Sequence, residues 1–124
     1  MQTIQQVAKQ FAISARTLRY YEELGLLTPK RTETGQRLYS KKEMVKLQLV
    51  MRGKRFGFTL DEIKEMVLLF DLDRTGKKQL QRTIAYGEEK LAEIDEKIAE
   101  LYEIKREMEQ LNTIFKRKLN KLEE

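Results

Sequence analysis

The chain has 124 residues, of which 40% are apolar and 36% are charged, a size and composition that predict one folded domain with at most an appendage. Cys and His are both absent, which excludes disulfides, zinc sites with soft ligands and catalysis by a His base. We therefore expect no enzymatic activity, no metal and no cofactor. The sequence contains no apolar run of membrane-spanning length and does not begin like a signal peptide, so we expect a cytoplasmic protein that makes no membrane contact.

Positive charge is concentrated in the first half of the chain. Residues 1–58 contain 12 Lys and Arg against 4 Asp and Glu, whereas residues 59–124 contain 13 against 16. A basic segment is typical of proteins that bind polyanions, and it is also common on solvated surfaces. The charge pattern favours nucleic-acid binding by the first half and a different role for the second.

Two short helices are predicted at the start of the chain. Thr3 and Gln6 have the spacing of a capping box, and apolar residues follow at helical period as far as Phe11. Ser14 is suited to cap a second helix, which Gly25 ends. The exposed face of this second helix is predicted to carry Ala15, Arg16, Thr17, Arg19, Tyr20 and Glu23.

A small β-hairpin, or wing, is predicted over residues 26–39. A Thr34-Gly35 turn separates two short segments there that are rich in basic and β-forming residues. Ser40 and Glu43 then have the spacing of a second capping box. The sequence therefore predicts that a helix follows the wing directly.

A third capping box, Thr59 with Glu62, begins a helix that we expect to end within residues 71–76. That segment, Asp-Leu-Asp-Arg-Thr-Gly, has oxygen-bearing side chains at alternate positions and Gly at the sixth, like the start of a calcium loop. A calcium loop needs a bidentate Glu at its twelfth position, which here is Arg82. The sequence therefore predicts an ordinary loop between helices.

The rest of the chain predicts a long helix of about 35 residues, then a break at Asn112-Thr113 and a short terminal helix. A coiled-coil-like apolar seam follows this helix and shifts by three residues after Leu101. No other predicted element is long enough to cover the seam, so we expect a second copy of the chain to cover it. The expected dimer-interface residues are Leu80, Ile84, Leu91, Ile94, Ile98, Leu101 and Met108.

Four segments together resemble the MerR family of bacterial transcription regulators. They are Thr3-Ile4-x-x-Val7-Ala8, the run from Ser14 to Leu26, Gly35-Gln-Arg37-Leu-Tyr39, and the run from Arg52 to Ile63. The resemblance implies a mainly α fold, with a winged helix-turn-helix DNA-binding domain and a small β-hairpin wing at residues 1–76. Residues 77–124 would then form an antiparallel coiled-coil dimerisation helix followed by the short C-terminal helix.

The resemblance also implies a homodimer that binds a pseudo-palindromic promoter operator and distorts the double-stranded DNA, so that RNA polymerase is affected indirectly through the promoter. In the major groove, Arg16 is suited to pair with guanine and Thr17 to touch a base edge. Phosphate contacts suit Arg19, Tyr20, Arg37 and Lys54. The candidate DNA-binding residues are therefore Ser14, Arg16, Thr17, Arg19, Tyr20, Tyr21, Arg37, Tyr39 and Lys54.

Two groups of residues on or near this surface have competing interpretations. Tyr21 and Tyr39 match family positions at the DNA face, but Tyr21 also lies on the apolar side of its helix and suits the core equally well. Glu22 and Glu23 are expected to keep DNA at a distance or to pair with nearby cations, rather than to read cytosine.

The response of the protein to a signal is left open by its sequence. Metal-sensing members of the family carry cysteines near the end of the dimerisation helix, and this chain has none. A small-molecule effector of unknown identity is compatible with the sequence, and Tyr86, Tyr102 and Phe115 either line its pocket or form interface core, the latter being favoured.

Two other classes of protein remain alternatives. The first is an architectural or recombination accessory DNA-binding protein, against which the long dimerisation helix argues. The second is a coiled-coil adaptor whose basic half is merely solvated. The adaptor interpretation leaves the patterns at residues 16–21 and 37–39 unexplained.

Overall fold

The structure is a computed structural model that describes residues 1–73 and 75–124. Arg74, which belongs to the predicted loop between helices, lies outside the described residues. The described residues form two units, a first unit of Met1–Arg82 and a helical unit of Thr83–Glu124. This division falls inside the last helix, whereas the predicted boundary lies at its start.

Thr3 joins the first strand to the first helix. Strand β1 (Gln2–Thr3) leads directly into helix α1 (Ile4–Phe11). The Thr3 hydroxyl accepts a hydrogen bond from the Gln6 amide, and the Gln6 side chain accepts one from the Thr3 amide. The predicted capping box is therefore confirmed. Strand β1 was not predicted, because two residues are too few to show an alternating pattern.

Helix α2 (Ala15–Glu23) completes a helix-turn-helix with α1. It begins at Ser14, whose hydroxyl accepts a hydrogen bond from the Thr17 amide. Just beyond its end, Gly25 has a φ of 77°, a left-handed conformation that glycine adopts without steric cost. Both ends of α2 therefore lie where the sequence predicts them.

The wing is a three-stranded antiparallel sheet. Strands β2 (Lys30–Arg31) and β3 (Arg37–Tyr39) form the predicted hairpin, and β1 pairs with the other edge of β3. In this register Arg31 faces Arg37, while Gln2 faces Tyr39. The sheet therefore ties the start of the chain to the wing.

Helices α3 (Lys41–Arg55) and α4 (Leu60–Leu72) pack closely against each other. Gly53 allows this approach, because a Cβ added there would lie 2.8 Å from Cγ1 of Ile63. The core of the first unit combines apolar residues of all four helices, the wing and the segment that precedes the wing. Its fully buried members include Val7, Leu18, Leu26, Leu27, Tyr39, Leu47, Val50, Ile63 and Met66.

Only one of the two capping boxes predicted for α3 and α4 is complete. At the start of α4, Thr59 and Glu62 exchange both hydrogen bonds. At the start of α3, the Ser40 hydroxyl accepts a bond from the Glu43 amide, but the Glu43 carboxylate does not return to Ser40. The predicted Ser40–Glu43 box is therefore wrong, because the carboxylate binds the Lys46 ammonium instead, at 3.1 Å.

The two carboxylates of the calcium-like segment are both bound within the protein. Asp71 is 3.1 Å from the Lys42 ammonium and 3.2 Å from that of Lys46. Asp73 accepts hydrogen bonds from the amides of Thr75 and Lys78, so it caps the start of the last helix. The described residues contain no cluster of three or more side chains suited to hold a metal ion.

Helix α5 (Lys77–Glu123) runs without interruption for 47 residues. The predicted break at Asn112-Thr113, with a separate terminal helix after it, is therefore wrong. Thr113 is accommodated in the helix because its hydroxyl donates a hydrogen bond to the Glu109 carbonyl. Among the helices of the described ranges, none is both long and apolar enough to cross a membrane.

Candidate nucleic-acid interface

The exposed face of α2 carries the side chains that are predicted to meet DNA. Arg16 and Arg19 are exposed, and Tyr20 keeps 49% of its surface accessible. The hydroxyls of Ser14 and Thr17 lie 2.9 Å apart, so each holds the other at the first turn of the helix. Two guanidinium groups, a phenol and a fixed pair of hydroxyls thus share one short helix.

Tyr21 connects α2 to the end of α3. Its side chain is 4% exposed, and its hydroxyl accepts a hydrogen bond of 3.4 Å from the Lys54 ammonium. The same ammonium lies 5.1 Å from the centre of the Tyr21 ring, within range of a cation–π interaction. The ring therefore belongs to the core, while the contact of its hydroxyl brings the exposed Lys54 next to α2.

Glu22 connects α2 to the wing. Its carboxylate accepts a hydrogen bond of 2.6 Å from Nε of Arg37 and one of 3.2 Å from Nη2 of Arg31. Arg31 also donates from Nη1 to the Gly35 carbonyl in the turn of the wing. One carboxylate thus binds both strands of the hairpin, and we call Glu22, Arg31 and Arg37 the wing clamp.

The wing clamp neutralises a repulsion within the sheet. Arg31 and Arg37 face each other across β2 and β3, where two like charges destabilise a strand pair. Burial alone would raise the pKa of Glu22, but hydrogen bonds and charge from Arg37 and Arg31 outweigh it and hold the pKa below its ordinary value. Glu22 is therefore ionised at neutral pH and compensates both cations.

Tyr39 is the most deeply buried of the candidate residues, with 1% of its surface exposed. Its hydroxyl finds no hydrogen-bond partner among the described residues, although it is fully enclosed. Burial, reinforced by the charge of Glu22, raises the pKa of this phenol, so it keeps its proton and remains a donor. The ring fills the core where β3 meets β1.

The first unit also contains a buried ion pair that the sequence analysis did not predict, because the helical pattern of apolar residues does not include charged side chains. Lys46 is 1% exposed, and its ammonium contacts the carboxylates of Glu43 and Asp71. The Glu43 carboxylate also accepts bonds from the amide and hydroxyl of Thr28, just before the wing. The sequence does contain a signal for this burial, because Glu43 and Lys46 lie at helical spacing on the same side of α3 as the buried Leu47.

The helical unit presents a continuous apolar stripe. The seven predicted interface residues are between 46% and 64% exposed in the single chain. Leu80 lies in the first unit and the other six lie in the helical unit. Further apolar side chains extend the stripe toward the end of α5, namely Ile104, Leu111, Ile114, Phe115, Leu119 and Leu122. A stripe of this length is typical of an interaction surface.

The helix-turn-helix, the wing and the basic face between them define a DNA-binding protein. The family model described as MerR HTH family regulatory protein matches residues 2–68, and the model described as MerR, DNA binding matches residues 44–111. The chain therefore belongs to the MerR family of helix-turn-helix transcriptional regulators.

Individual relatives agree with this membership. The HTH-type transcriptional regulator HmrR of Rhizobium leguminosarum bv. viciae is 34% identical over 87% of this chain and 81% of its own length. The regulator CueR of Vibrio cholerae is 39% identical over 86% of this chain and 76% of its own.

Solved structures give the same result. HiNmlR, a MerR family regulator lacking the sensor domain and solved bound to promoter DNA, is 31% identical and covers 81% of this chain and 74% of its own, with a TM-score of 0.61. A putative MerR family regulator from Listeria monocytogenes covers 99% of this chain and 95% of its own with a TM-score of 0.78, and at 20% identity it supports the fold alone.

These findings confirm several predictions. The family, the mainly α winged helix-turn-helix fold and the function of a DNA-binding transcriptional regulator are as the sequence predicts. MerR regulators bind promoter DNA as dimers. The two partners predicted from the sequence, promoter DNA and a second copy of the chain, agree with this. The family is one of DNA-binding proteins rather than of enzymes.

Proposed function

We propose that two copies of this chain bind a pseudo-palindromic operator within a promoter, in the cytoplasm, and distort the DNA so that RNA polymerase uses the promoter differently. The exposed face of α2, joined to the wing by Glu22 and to α3 by Lys54, is the observation that carries this proposal. These connections let three elements meet DNA as one rigid surface. The stripe on α5 pairs the two copies, and the second copy binds the second half-site of the operator.

Within this surface we assign base reading to Arg16, with Thr17 beside it. Arg16 is exposed at the start of α2, the part of a recognition helix that contacts base edges. Its guanidinium fits guanine O6 and N7 through two hydrogen bonds. Ser14 supports this placement because its hydroxyl fixes the first turn.

Phosphate contacts are assigned to Arg19, Tyr20, Arg37 and Lys54. Arg37 binds Glu22 through Nε, so we assign its two terminal nitrogens to the phosphate contact. Tyr21 and Tyr39 support this surface mainly from behind, since both rings are buried. In this assignment Tyr21 positions the Lys54 ammonium, and Tyr39 secures the sheet.

A response to soft metals by thiolate ligation does not form part of the proposed function. The chain has no Cys or His, and the oxygen ligands Asp71 and Asp73 are bound within the protein. A small organic effector is compatible with this proposal. Such a molecule changes transcription only by favouring one arrangement of the dimer over another.

The proposal is tested by footprinting the purified dimer on the promoter nearest to its own gene and transcribing that promoter in vitro. We expect a symmetric footprint between the promoter elements and a changed transcript yield. The double variant Arg16→Ala/Arg19→Ala should lose the footprint. The matched control Lys64→Ala removes an exposed cation of α4 outside the proposed surface, and it should retain the footprint.

Two outcomes would contradict the proposal. A footprint without any change in transcription, on any spacer length, would favour an architectural or recombination accessory protein. Retention of the footprint by the double variant would mean that α2 does not bind the DNA.

A further inference from the structure

We propose that Arg31 is a further DNA-binding residue and that Glu22 competes with the DNA backbone for it. When the protein binds its operator, Nη2 of Arg31 leaves the Glu22 carboxylate and binds a phosphate, while Nε of Arg37 stays on Glu22. This inference rests on the DNA-binding surface of the proposed function. It adds to that surface a residue that was not predicted from the sequence.

The two arginines of the wing clamp are held with different strength. Nε of Arg37 lies 2.6 Å from Oε2 of Glu22, and the Arg37 side chain is 22% exposed. Nη2 of Arg31 lies 3.2 Å from the other oxygen, Oε1, and the Arg31 side chain is 48% exposed. A longer ion pair in contact with water contributes little to stability, because water screens its charges. Arg31 is therefore the partner that Glu22 releases more easily, and its departure leaves the bond to Arg37 in place.

The nitrogens that form the bonds also distinguish the two arginines. Among the described residues, none accepts a hydrogen bond from the terminal nitrogens of Arg37, so they can bind phosphate while Nε stays on Glu22. Arg31 uses both of its terminal nitrogens, Nη2 for Glu22 and Nη1 for the Gly35 carbonyl. A phosphate that approaches the end of the Arg31 side chain therefore competes with Glu22.

The turn of the wing keeps Arg31 in place for this exchange. Its bond from Nη1 to the Gly35 carbonyl, at 3.3 Å, does not involve Glu22 and can persist when Nη2 turns away. Strand β2, which carries Arg31, lies at an edge of the three-stranded sheet, with β3 on one side only. The guanidinium is thus held at an exposed edge of the wing, beside the helix that is assigned to the major groove.

The charges of the wing clamp favour the exchange on DNA. One carboxylate lies between two cations that face each other across β2 and β3, so the clamp keeps a net positive charge. A phosphate beside Arg31 supplies a second anion, and each guanidinium then binds an anion of its own. Glu22 therefore stabilises the wing in the free protein and lowers the affinity for DNA at the same time.

The salt dependence of DNA binding tests whether Arg31 contacts phosphate. Duplex DNA that contains the footprinted promoter site is titrated with the purified dimer over a range of salt concentrations. Arg31→Gln should weaken binding and lower the slope of log affinity against log salt by about two units per dimer, because each copy loses one phosphate contact. Arg31→Lys keeps the charge and should retain most of the slope.

Arg82 provides the matched control for this titration. Its side chain is also 48% exposed, and its Nε lies 2.7 Å from a carboxylate oxygen of Glu65, in an ion pair outside α2, the wing and α3. Arg82→Gln should therefore leave the salt slope unchanged.

A double-mutant cycle tests the competition with Glu22. Glu22→Gln should tighten binding about 2- to 20-fold per dimer at low salt, because Arg31 then binds phosphate without first breaking an ion pair. Glu23→Gln removes a neighbouring exposed charge that is not part of the wing clamp, so it measures the general repulsion between a carboxylate and DNA. In the Arg31→Gln background, Glu22→Gln should have no more effect than Glu23→Gln.

The outcomes separate this inference from the proposed function. A dimer that binds no duplex DNA refutes both. If DNA binds and Arg31→Gln leaves the salt slope unchanged, only this inference fails. Weaker binding by Glu22→Gln, or an equal effect of that change with and without the Arg31 side chain, would show that Glu22 positions Arg31 rather than competes for it, and would overturn the exchange.

Discussion

Arg16 and Lys54 both bring positive charge to the proposed DNA surface, but we expect them to serve different purposes. Arg16→Ala should relax sequence preference, because a guanidinium that binds guanine contributes about 1–3 kcal/mol of discrimination. Lys54→Ala should weaken binding to all sequences alike and reduce the salt dependence by about two units per dimer. Affinities for operator and scrambled DNA over a range of salt concentrations measure both effects.

The contact between Lys54 and Tyr21 requires a control for this prediction. Tyr21→Phe removes the hydroxyl that binds Lys54 but leaves the cation, so operator preference should be retained. If Lys54→Ala changes which bases are preferred, the assigned roles are wrong.

The buried Lys46 is a second residue whose replacement has a sharp consequence. Lys46→Met leaves the Glu43 carboxylate buried without its cation, which should cost about 3 kcal/mol of unfolding free energy. Denaturant titration gives this value. The double variant Glu43→Gln/Lys46→Met should recover most of it, because the amide oxygen still accepts a bond from Thr28. Equal losses in the single and double variants would contradict this account.

At the scale of elements, the wing clamp makes the attachment of the wing to α2 dependent on pH. The folded pKa of Glu22 lies below its ordinary value of 4.5, so its stabilisation is complete above about pH 5. It is lost as the pH falls through the lowered pKa and the carboxylate is protonated. The difference in unfolding free energy between wild type and Glu22→Gln should therefore shrink from pH 6 to pH 3.

A neighbouring residue provides the control for the wing clamp. Glu23→Gln changes the same charge at an exposed position and should show little of this pH dependence. Because Asp71 is unchanged in both variants, its own titration cancels in the comparison. A difference for Glu22→Gln that stays constant down to pH 3 would mean that the clamp contributes nothing.

Local patterns explain why most elements were predictable. Capping at Thr3, Ser14 and Thr59 depends on residues three positions apart, so the chain itself records where those helices begin. Helical period also predicts the exposed Arg16, Arg19, Tyr20 and Glu23 of α2, whereas Ala15 and Thr17, predicted to be exposed, are half-buried. The Ser40–Glu43 box was mispredicted because Lys46 and Thr28, the latter 15 residues earlier, bind the Glu43 carboxylate in the folded structure.

Features that depend on distant contacts were not predictable. Tyr39 is enclosed partly because β1 pairs with β3, and a two-residue strand leaves no signal in sequence. The same holds for Gly53, whose missing side chain matters only because Ile63 lies against it. The predicted break at Asn112 failed for a different reason, since weak propensities at two residues are outweighed by the helix on both sides.

For the whole molecule, the apolar stripe predicts that dimerisation and DNA binding are linked. Ile98→Asp places a charge in the seam and should give monomers at micromolar concentration, with much weaker operator binding. Ala99→Asp adds the same charge one residue away, outside the predicted interface residues, and should remain dimeric. Sedimentation and operator titration measure the two properties, and a dimeric Ile98→Asp would contradict the interface.

The absence of thiol and imidazole groups predicts how the whole regulator responds to metals. Micromolar copper, zinc, mercury or lead should leave transcription from its promoter unchanged, because soft metals bind thiolates and imidazoles most strongly. In vitro transcription with purified components measures this. A variant with cysteines at two adjacent turns near the end of α5 serves as a control for metal delivery. A reproducible response of the natural chain would require a site built from carboxylates and thioethers.

The stripe on the helical unit also affects how the protein is made and removed. The first unit has a buried core of its own within one chain, whereas the apolar stripe stays exposed until a second chain covers it. A new chain completes its structure only by meeting another chain, a step whose rate depends on the square of concentration. Chains that have not yet paired expose their apolar helix to proteases and chaperones. The number of working regulators per cell therefore rises more steeply than the number of chains synthesised.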